Sequence, residues 1–342
     1  MQSETELLKA ISSGRDLSAL QAGKLIGHLC SDSATDQERR EFLIAMNEKG
    51  ETPEEITGLI QGILQFAKIG KIDGTTDIVG TGGDRRHTIN VSTCSAIVCS
   101  ALGIRIAKYG NRSSSGIFGS ADFMSMAGYP LQFDYAEARR RVNTTNFVFL
   151  SAGLYNTAFT KFQKVRKEIG LPTVFNRLGP LTNPARPTHA VIGCTGSDQR
   201  RIFASVMRLS CTKGYVINST DGMDELSPFS ESEFSLVSDS IKEGRIHPAR
   251  ELGIRIEEDQ ITGSKPEEIF AKTMDALAGK NPDGASFIAL NSAPAIMVHG
   301  MADSFSSAYR MGMKAIKSGL AYGHLQKVIA SAGGIRQGEV HG

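Results

Sequence analysis

Several function classes are closed to this chain by what its 342 residues lack. Its charges nearly cancel, 38 Lys and Arg against 36 Asp and Glu, so it has no field of one sign such as a dedicated duplex-DNA binder carries. Its five cysteines (Cys30, Cys94, Cys99, Cys194, Cys211) form no CxxC pair and no zinc-type spacing with histidine. That argues against a disulfide framework or a zinc ribbon, and predicts buried free thiols in a reducing cytosol. No run approaches the ~18 apolar residues needed to span a bilayer. The N-terminal MQSETELLKAISSGRDL has no apolar signal-peptide core. There is no internal repeat, no GxGxxG, no P-loop ending in Gly-Lys-Ser/Thr, and no nucleophile triad. A soluble, cytoplasmic protein with no membrane partner is expected.

What is present divides the chain by texture. Residues 1–70 read as helices only: LSALQAGKLIGHLC, DQERREFLIAMNEKG and TPEEITGLIQGILQFAKIG carry apolar residues at three- and four-residue spacing. Short β-branched runs then begin, each ending at glycine or a polar turn: TTDIVG, GIRIAKYG, FVFLSAG, HAVIGCTG and GYVINSTDG. Helical stretches lie between most of them. The alternation predicts an α/β fold, a small all-helical domain followed by a larger α/β domain with a mainly parallel central sheet. The α/β part is expected in two pieces, 71–130 and 186–342. Residues 131–185 are expected to be a helical return and hinge, the Arg139-Arg140-Arg141 run a solvated helix face, and the C-terminal AGGIRQGEVHG a mobile tail.

Four stretches could carry chemistry. In VGTGGDRRHTINVSTCSA (79–96), glycines after a strand free backbone N–H groups to approach an anion, and the following helix adds its positive end. Ser92 or Thr93 is expected to cap that helix. On these residues alone, a tight βα turn without ligand stays open, and Arg85, Arg86 and His87 read as a solvated basic turn. AKYGNRSSSGIFGSADFMSMAG (107–128) offers Lys108, Arg112, serines and glycines to a polyanion, or is a solvated loop. VINSTDGMDELS (216–227) places Asp224 and Glu225 together after a strand, as Mg²⁺ with phosphate oxygens would want, or as any acidic turn does. VRKEIGLPTVFNRLGPLTNPARP (165–187) is a rigid loop.

Together, in this order, these stretches resemble the anthranilate phosphoribosyltransferase family. The resemblance lies in GTGGD (80–84) with NVST (90–93), KYGNRS (108–113) with GSAD (119–122), FNRLGPLTNPA (175–185) and DGMDE (221–225). It extends to MNEKGETPEEI, NSAPA and AIKSG, and so covers nearly the whole chain. It implies the nucleoside phosphorylase/phosphoribosyltransferase type of fold, and transfer of a phosphoribosyl group from 5-phosphoribosyl-1-pyrophosphate (PRPP) to anthranilate in tryptophan biosynthesis. It also implies Mg²⁺ and a homodimer. Carried over, Gly80, Thr81, Gly82, Gly83, Asp84, Thr88, Asn90, Ser92 and Thr93 hold PRPP, with Lys108, Gly110, Asn111, Arg112, Ser113 and Ser120. Ser92, Asp224 and Glu225 hold the metal. Lys108, Asp224 and Glu225 carry the catalysis. Gly80, Tyr109, Asn111, Asn156 and Arg166 face the acceptor, with Arg166 on its carboxylate.

The departures from the family pattern are uneven. Tyr109 and Asn156 stand where the family usually has histidines, Ile117 replaces a lysine, Pro172 an arginine, and Arg177 an aliphatic residue. The pyrophosphate turn and the metal carboxylates are intact, while two acceptor-side histidines are gone. The same chemistry on another aromatic or heteroaromatic acceptor is therefore an alternative. A silent nucleic-acid or protein binding relative is a weaker one, since it would not need GTGGD, Asp224 or Glu225.

Overall fold

The computed structural model describes residues 2–84, 86–112 and 117–333. Arg85, Ser113 with the loop to Gly116, and the tail from residue 334 lie outside them. Four helices open the chain: Glu4–Ser12, Ala19–Cys30, Asp36–Lys49 and Pro53–Ile63. Each starts at a Ser or Thr whose third following residue is Glu or Gln, and all four close reciprocal capping boxes. The second and fourth cross closely because their contact is glycine. A Cβ on Gly58 would lie 2.1 Å from the Ala19 carbonyl oxygen, and one on Gly62 would lie 2.6 Å from that of Gly23. Leu25, Phe42 and Ile56 fill this layer's core.

The α/β domain is one seven-stranded sheet. Its strands are β1 (Thr76–Gly80), β2 (Ile106–Gly110), β3 (Phe147–Ser151), β4 (His189–Gly193), β5 (Lys213–Ser219), β6 (Ser232–Val237) and β7 (Ile241–Ile246). The order is β3-β2-β1-β4-β5-β6-β7, with the first five parallel and the last two antiparallel. The five parallel strands are those the sequence predicts. The β6–β7 hairpin escapes that reading because IKEGRI is mostly polar. Helices Val91–Ala101 and Pro282–Val298 pack in the core that holds Ile106 and Phe147, and helix Ser197–Leu209 packs on the other face against Ile192 and Val216. From β1 the chain builds outward to β2 and β3, then returns to lay β4 on β1's other side. The carboxyl ends of β1 and β4 thus form the switch point where open α/β sheets bind ligands.

Within 131–185 the structure corrects the expected boundary. Helix Tyr135–Thr145 and β3 belong to the sheet, and the helical return is helix Ala158–Ile169 with the short Val174–Leu178, through Phe162, Val165 and Phe175. The arginine run is not wholly solvated either. Arg141 is buried, with its guanidinium 4.0 Å from the Phe133 ring centroid and a 2.8 Å bond to Glu137. Four cysteines are buried free thiols, but Cys211 is exposed. No described helix is long and apolar enough to cross a membrane.

Candidate active site

The glycine turn and the acidic loop are one unit, joined at the ends of β1 and β4. A Cβ on Gly193 would lie 1.6 Å from the Asp224 carbonyl oxygen, and one on Gly80 would lie 2.8 Å from Asp224 Oδ2. Only glycine lets the acidic loop lie directly on the strand ends. Asp224 Oδ2 accepts hydrogen bonds from Gly82 N (2.6 Å) and Thr81 Oγ1 (2.9 Å). A Cβ on Gly83 would meet nothing closer than 3.6 Å, so this side of the turn has room above it. Asp84 accepts from Arg86 N at 3.2 Å, and Thr88 forms a bridge with Thr262.

The helix that follows starts earlier than a cap at Ser92 or Thr93 would set it. Asn90 is its N-cap, and its side chain makes no capping bond. Ser92 and Thr93 therefore sit in the first turn. Among the described residues, eight buried side-chain polar atoms have no partner. Asn90 Nδ2, Thr93 Oγ1 and Glu225 Oε2 are on donor motifs, and Tyr109 Oη with both amide atoms of Asn156 are at the altered acceptor positions. Native proteins leave few such buried polar atoms.

Electrostatics favour a cation here. Burial, then the charges of Asp224 and Asp84, push the Glu225 carboxyl well above the ordinary range. Burial and Asp224 push Asp84 up to about 6. Ser92, Asp224 and Glu225 line one small cavity with Gly80 and Asn291. No three His, Cys, Asp or Glu among the described residues form a metal-holding group by themselves. The set fits a hard divalent ion that takes its remaining oxygens from phosphate and water.

Lys108 is buried behind this cavity, and burial holds its pKa below the usual lysine value while Asp77 and Glu225 oppose that. Asp77, pushed up to about 6 by burial, accepts from Tyr109 N (3.0 Å) and Asn183 Nδ2 (2.8 Å). Asn183 Nδ2 also donates to the Ala107 carbonyl at 2.8 Å. The LTNPA loop thus links β1 to β2, a role no local motif could reveal.

The second loop is tied to β2's end. A Cβ on Gly110 would lie 2.2 Å from Ser120 Oγ, which donates to the Asn111 carbonyl at 3.3 Å. Asn111 and Arg112 are exposed, and Arg112 pairs with Asp122 at 2.7 Å rather than standing free for an anion. On the acceptor side, the structure brings Tyr109 and Asn156 together but buries both, with 3% and 0% exposure. Neither side chain reaches the open cleft. Arg166 is half-buried, donates to Asn176 Oδ1 at 3.3 Å and lies 5.6 Å from the Phe175 ring centroid. Beside it a cleft of about 500 Å³ runs between the two domains, lined by Asn47, Glu51, Thr173, Arg177, Thr195 and Ser197. Arg177 forms an ion pair with Glu51 across it.

Comparison with known proteins matches residues 73–322 to the α/β domain of the glycosyl transferase family and residues 5–67 to that family's helical bundle domain. The anthranilate phosphoribosyltransferase of Picrophilus torridus is 42% identical over 86% of this chain and 90% of its own. That of Thermoplasma acidophilum is 38% identical over 92% and 96%. Among solved structures, the anthranilate phosphoribosyltransferase from Thermus thermophilus superposes with a TM-score of 0.88 at 28% identity, covering 95% of this chain and 99% of that one. The Saccharomyces cerevisiae enzyme in complex with PRPP and Mg shares the fold, with a TM-score of 0.85 at 23% identity over 97% and 99%.

Proposed function

The chain belongs to the anthranilate phosphoribosyltransferase family, and we propose that it transfers the 5-phosphoribosyl group of PRPP to the amine of anthranilate, releasing pyrophosphate. The observation that carries this reading is the paired strand ends, Gly80 and Gly193, on which the glycine turn and the acidic loop meet around Asp224.

In this reading Gly80 to Asp84, with Thr88, Asn90, Ser92 and Thr93, hold the donor's pyrophosphate. Lys108, Gly110, Asn111, Arg112, Ser113 and Ser120 complete the donor site. Asp224, Glu225 and Ser92 hold Mg²⁺, which when bound supplies positive charge to the leaving pyrophosphate. The residues themselves position the reactants and set the field. The bond from the anomeric carbon to pyrophosphate breaks as the bond to the amine nitrogen forms, and the amine then releases a proton. Positive charge builds on the sugar, as in glycosidases, and no protein nucleophile is needed. Lys108 and the turn's N–H groups offset negative charge on the departing oxygens, while Arg166 and Asn111 hold anthranilate in line.

The reading carries with it tryptophan biosynthesis in the cytoplasm and a homodimer through the helical layer, where Leu20 is 81% exposed. It is tested by steady-state pyrophosphate release with PRPP, Mg²⁺ and a panel of aromatic amines. Anthranilate should have the highest kcat/KM. A heteroaromatic amine exceeding it would keep the chemistry and replace the acceptor.

A further inference from the structure

We propose that Arg86, in the turn after GTGGD, is a positioning residue that holds the pyrophosphate turn and the metal-binding loop in register, so that metal and PRPP binding reinforce each other. The proposal rests on the functional reading above. The sequence suggests a solvated basic turn here, but the side chain is engaged on two sides. Arg86 Nη2 donates to the Asp221 carbonyl oxygen at 2.7 Å, and Nη1 lies 3.3 Å from Glu258 Oε1. Its own backbone N–H donates to Asp84.

Both ends of this strap are fixed. Asp221 is fastened into the acidic loop, because its Oδ2 accepts from Ser227 Oγ at 2.7 Å and its Oδ1 from Met223 N at 3.3 Å. The backbone after Arg86 is pinned to residues 261–263: Ile89 N donates to the Ile261 carbonyl (2.8 Å), and Gly263 N to that of His87 (3.1 Å). The two turns are thus joined both through the Asp224 carboxylate and through Arg86.

These joints respond differently to a cation. Gly82 N and Thr81 Oγ1 both donate to Asp224 Oδ2, so a cation taking that oxygen would compete with them and weaken the first joint. Arg86 uses the Asp221 backbone carbonyl, which that exchange leaves alone. It keeps the glycine turn beside the acidic loop while the carboxylate changes partners. A charge-assisted hydrogen bond to a fixed carbonyl suits this role.

The test is calorimetric titration of PRPP into the full chain with and without Mg²⁺, alongside melting temperatures. In Arg86→Ala the gain in PRPP affinity on adding Mg²⁺ should shrink by about tenfold, within the usual range of coupling between sites. The metal-free affinity should stay within about twofold. Arg86→Lys, which can still donate to the Asp221 carbonyl, should recover most of the gain. An unchanged gain in Arg86→Ala would overturn the proposal, as would equal losses of affinity with and without Mg²⁺, the signature of a direct phosphate contact or a merely structural role. A wild-type chain that binds no PRPP under either condition would instead bring down the functional reading, and the proposal with it.

Discussion

In the proposed donor half of the site, the polar groups are set by backbone at strand ends: Gly82 N on Asp224, Thr81 N on the Gly193 carbonyl, and the acidic loop pressed onto two glycines. In the proposed acceptor half, Arg166 projects from a helix packed on the bundle and is steadied by Asn176, while Arg177 pairs with Glu51 of the same helical layer. The difference separates two tolerances. A site made from close backbone approach admits almost no substitution, because a single Cβ would collide. A site made from side chains can exchange them, and that is where Tyr109, Asn156, Pro172 and Arg177 depart from the family pattern.

The largest effect expected is on the donor half. Asp224→Asn with Glu225→Gln should lower kcat at least about 100-fold, since metal stabilisation of charge is worth several kcal/mol. Its melting temperature should not fall, because the buried Glu225 carboxyl, held well above its ordinary range by burial and by the charge of Asp224, is neutralised together with that charge. Turnover near the wild-type rate would show that these carboxylates hold no metal. On the acceptor half, Arg166→Leu should raise KM for anthranilate by roughly 10- to 100-fold, the worth of a hydrogen bond to a charged group. The calorimetric affinity for PRPP should stay constant, and a parallel loss of it would break the division into halves.

The donor half should also respond to pH. Asp84 is raised to about 6 in the folded chain, against about 4 unfolded. The folded state therefore binds this proton more tightly, so the group's destabilising share is absent below pH ~4 and complete above pH ~6. Protons compete with a cation around and below pH 6, so the Mg²⁺ needed for half-maximal PRPP binding should rise about fivefold between pH 6 and pH 5. A flat Mg²⁺ requirement over that range would remove Asp84 from the cation's surroundings. The smallest effect belongs to the altered pair. Tyr109 is buried beside Thr182 and Asn156 and does not reach the open cleft, so Tyr109→Phe should change kcat/KM for anthranilate less than about threefold. A larger loss of kcat/KM would give the hydroxyl a direct contact with acceptor in the closed cleft.

The motifs of the proposed donor half were readable in the sequence because their signals are local. GTGGD after TTDIVG is a strand, a turn and a helix start in one short stretch, and DGMDE follows a strand in the same way. What escaped depends on contacts distant in sequence. Asp77 meets Asn183 across 106 residues, and Arg86 meets Asp221 across 135. A lone Asp in an apolar strand and an Arg in a basic turn carry no mark of those partners. The helix start slipped from Ser92 to Asn90 because all of Asn, Ser and Thr are good caps, and only the backbone decides among them. The burial of Tyr109 and Asn156 against each other was likewise invisible, since the motifs that contain them lie far apart in the chain.

The central claim is that phosphoribosyl passes from PRPP to the anthranilate amine at the β1/β4 strand ends. It is tested most directly by following anthranilate consumption and pyrophosphate release in one reaction, with wild type and Asp224→Asn side by side. The wild type should yield equal amounts of the two and depend on Mg²⁺, and Asp224→Asn should lose both. Pyrophosphate released without anthranilate being consumed, or the same yield from both proteins, would contradict it.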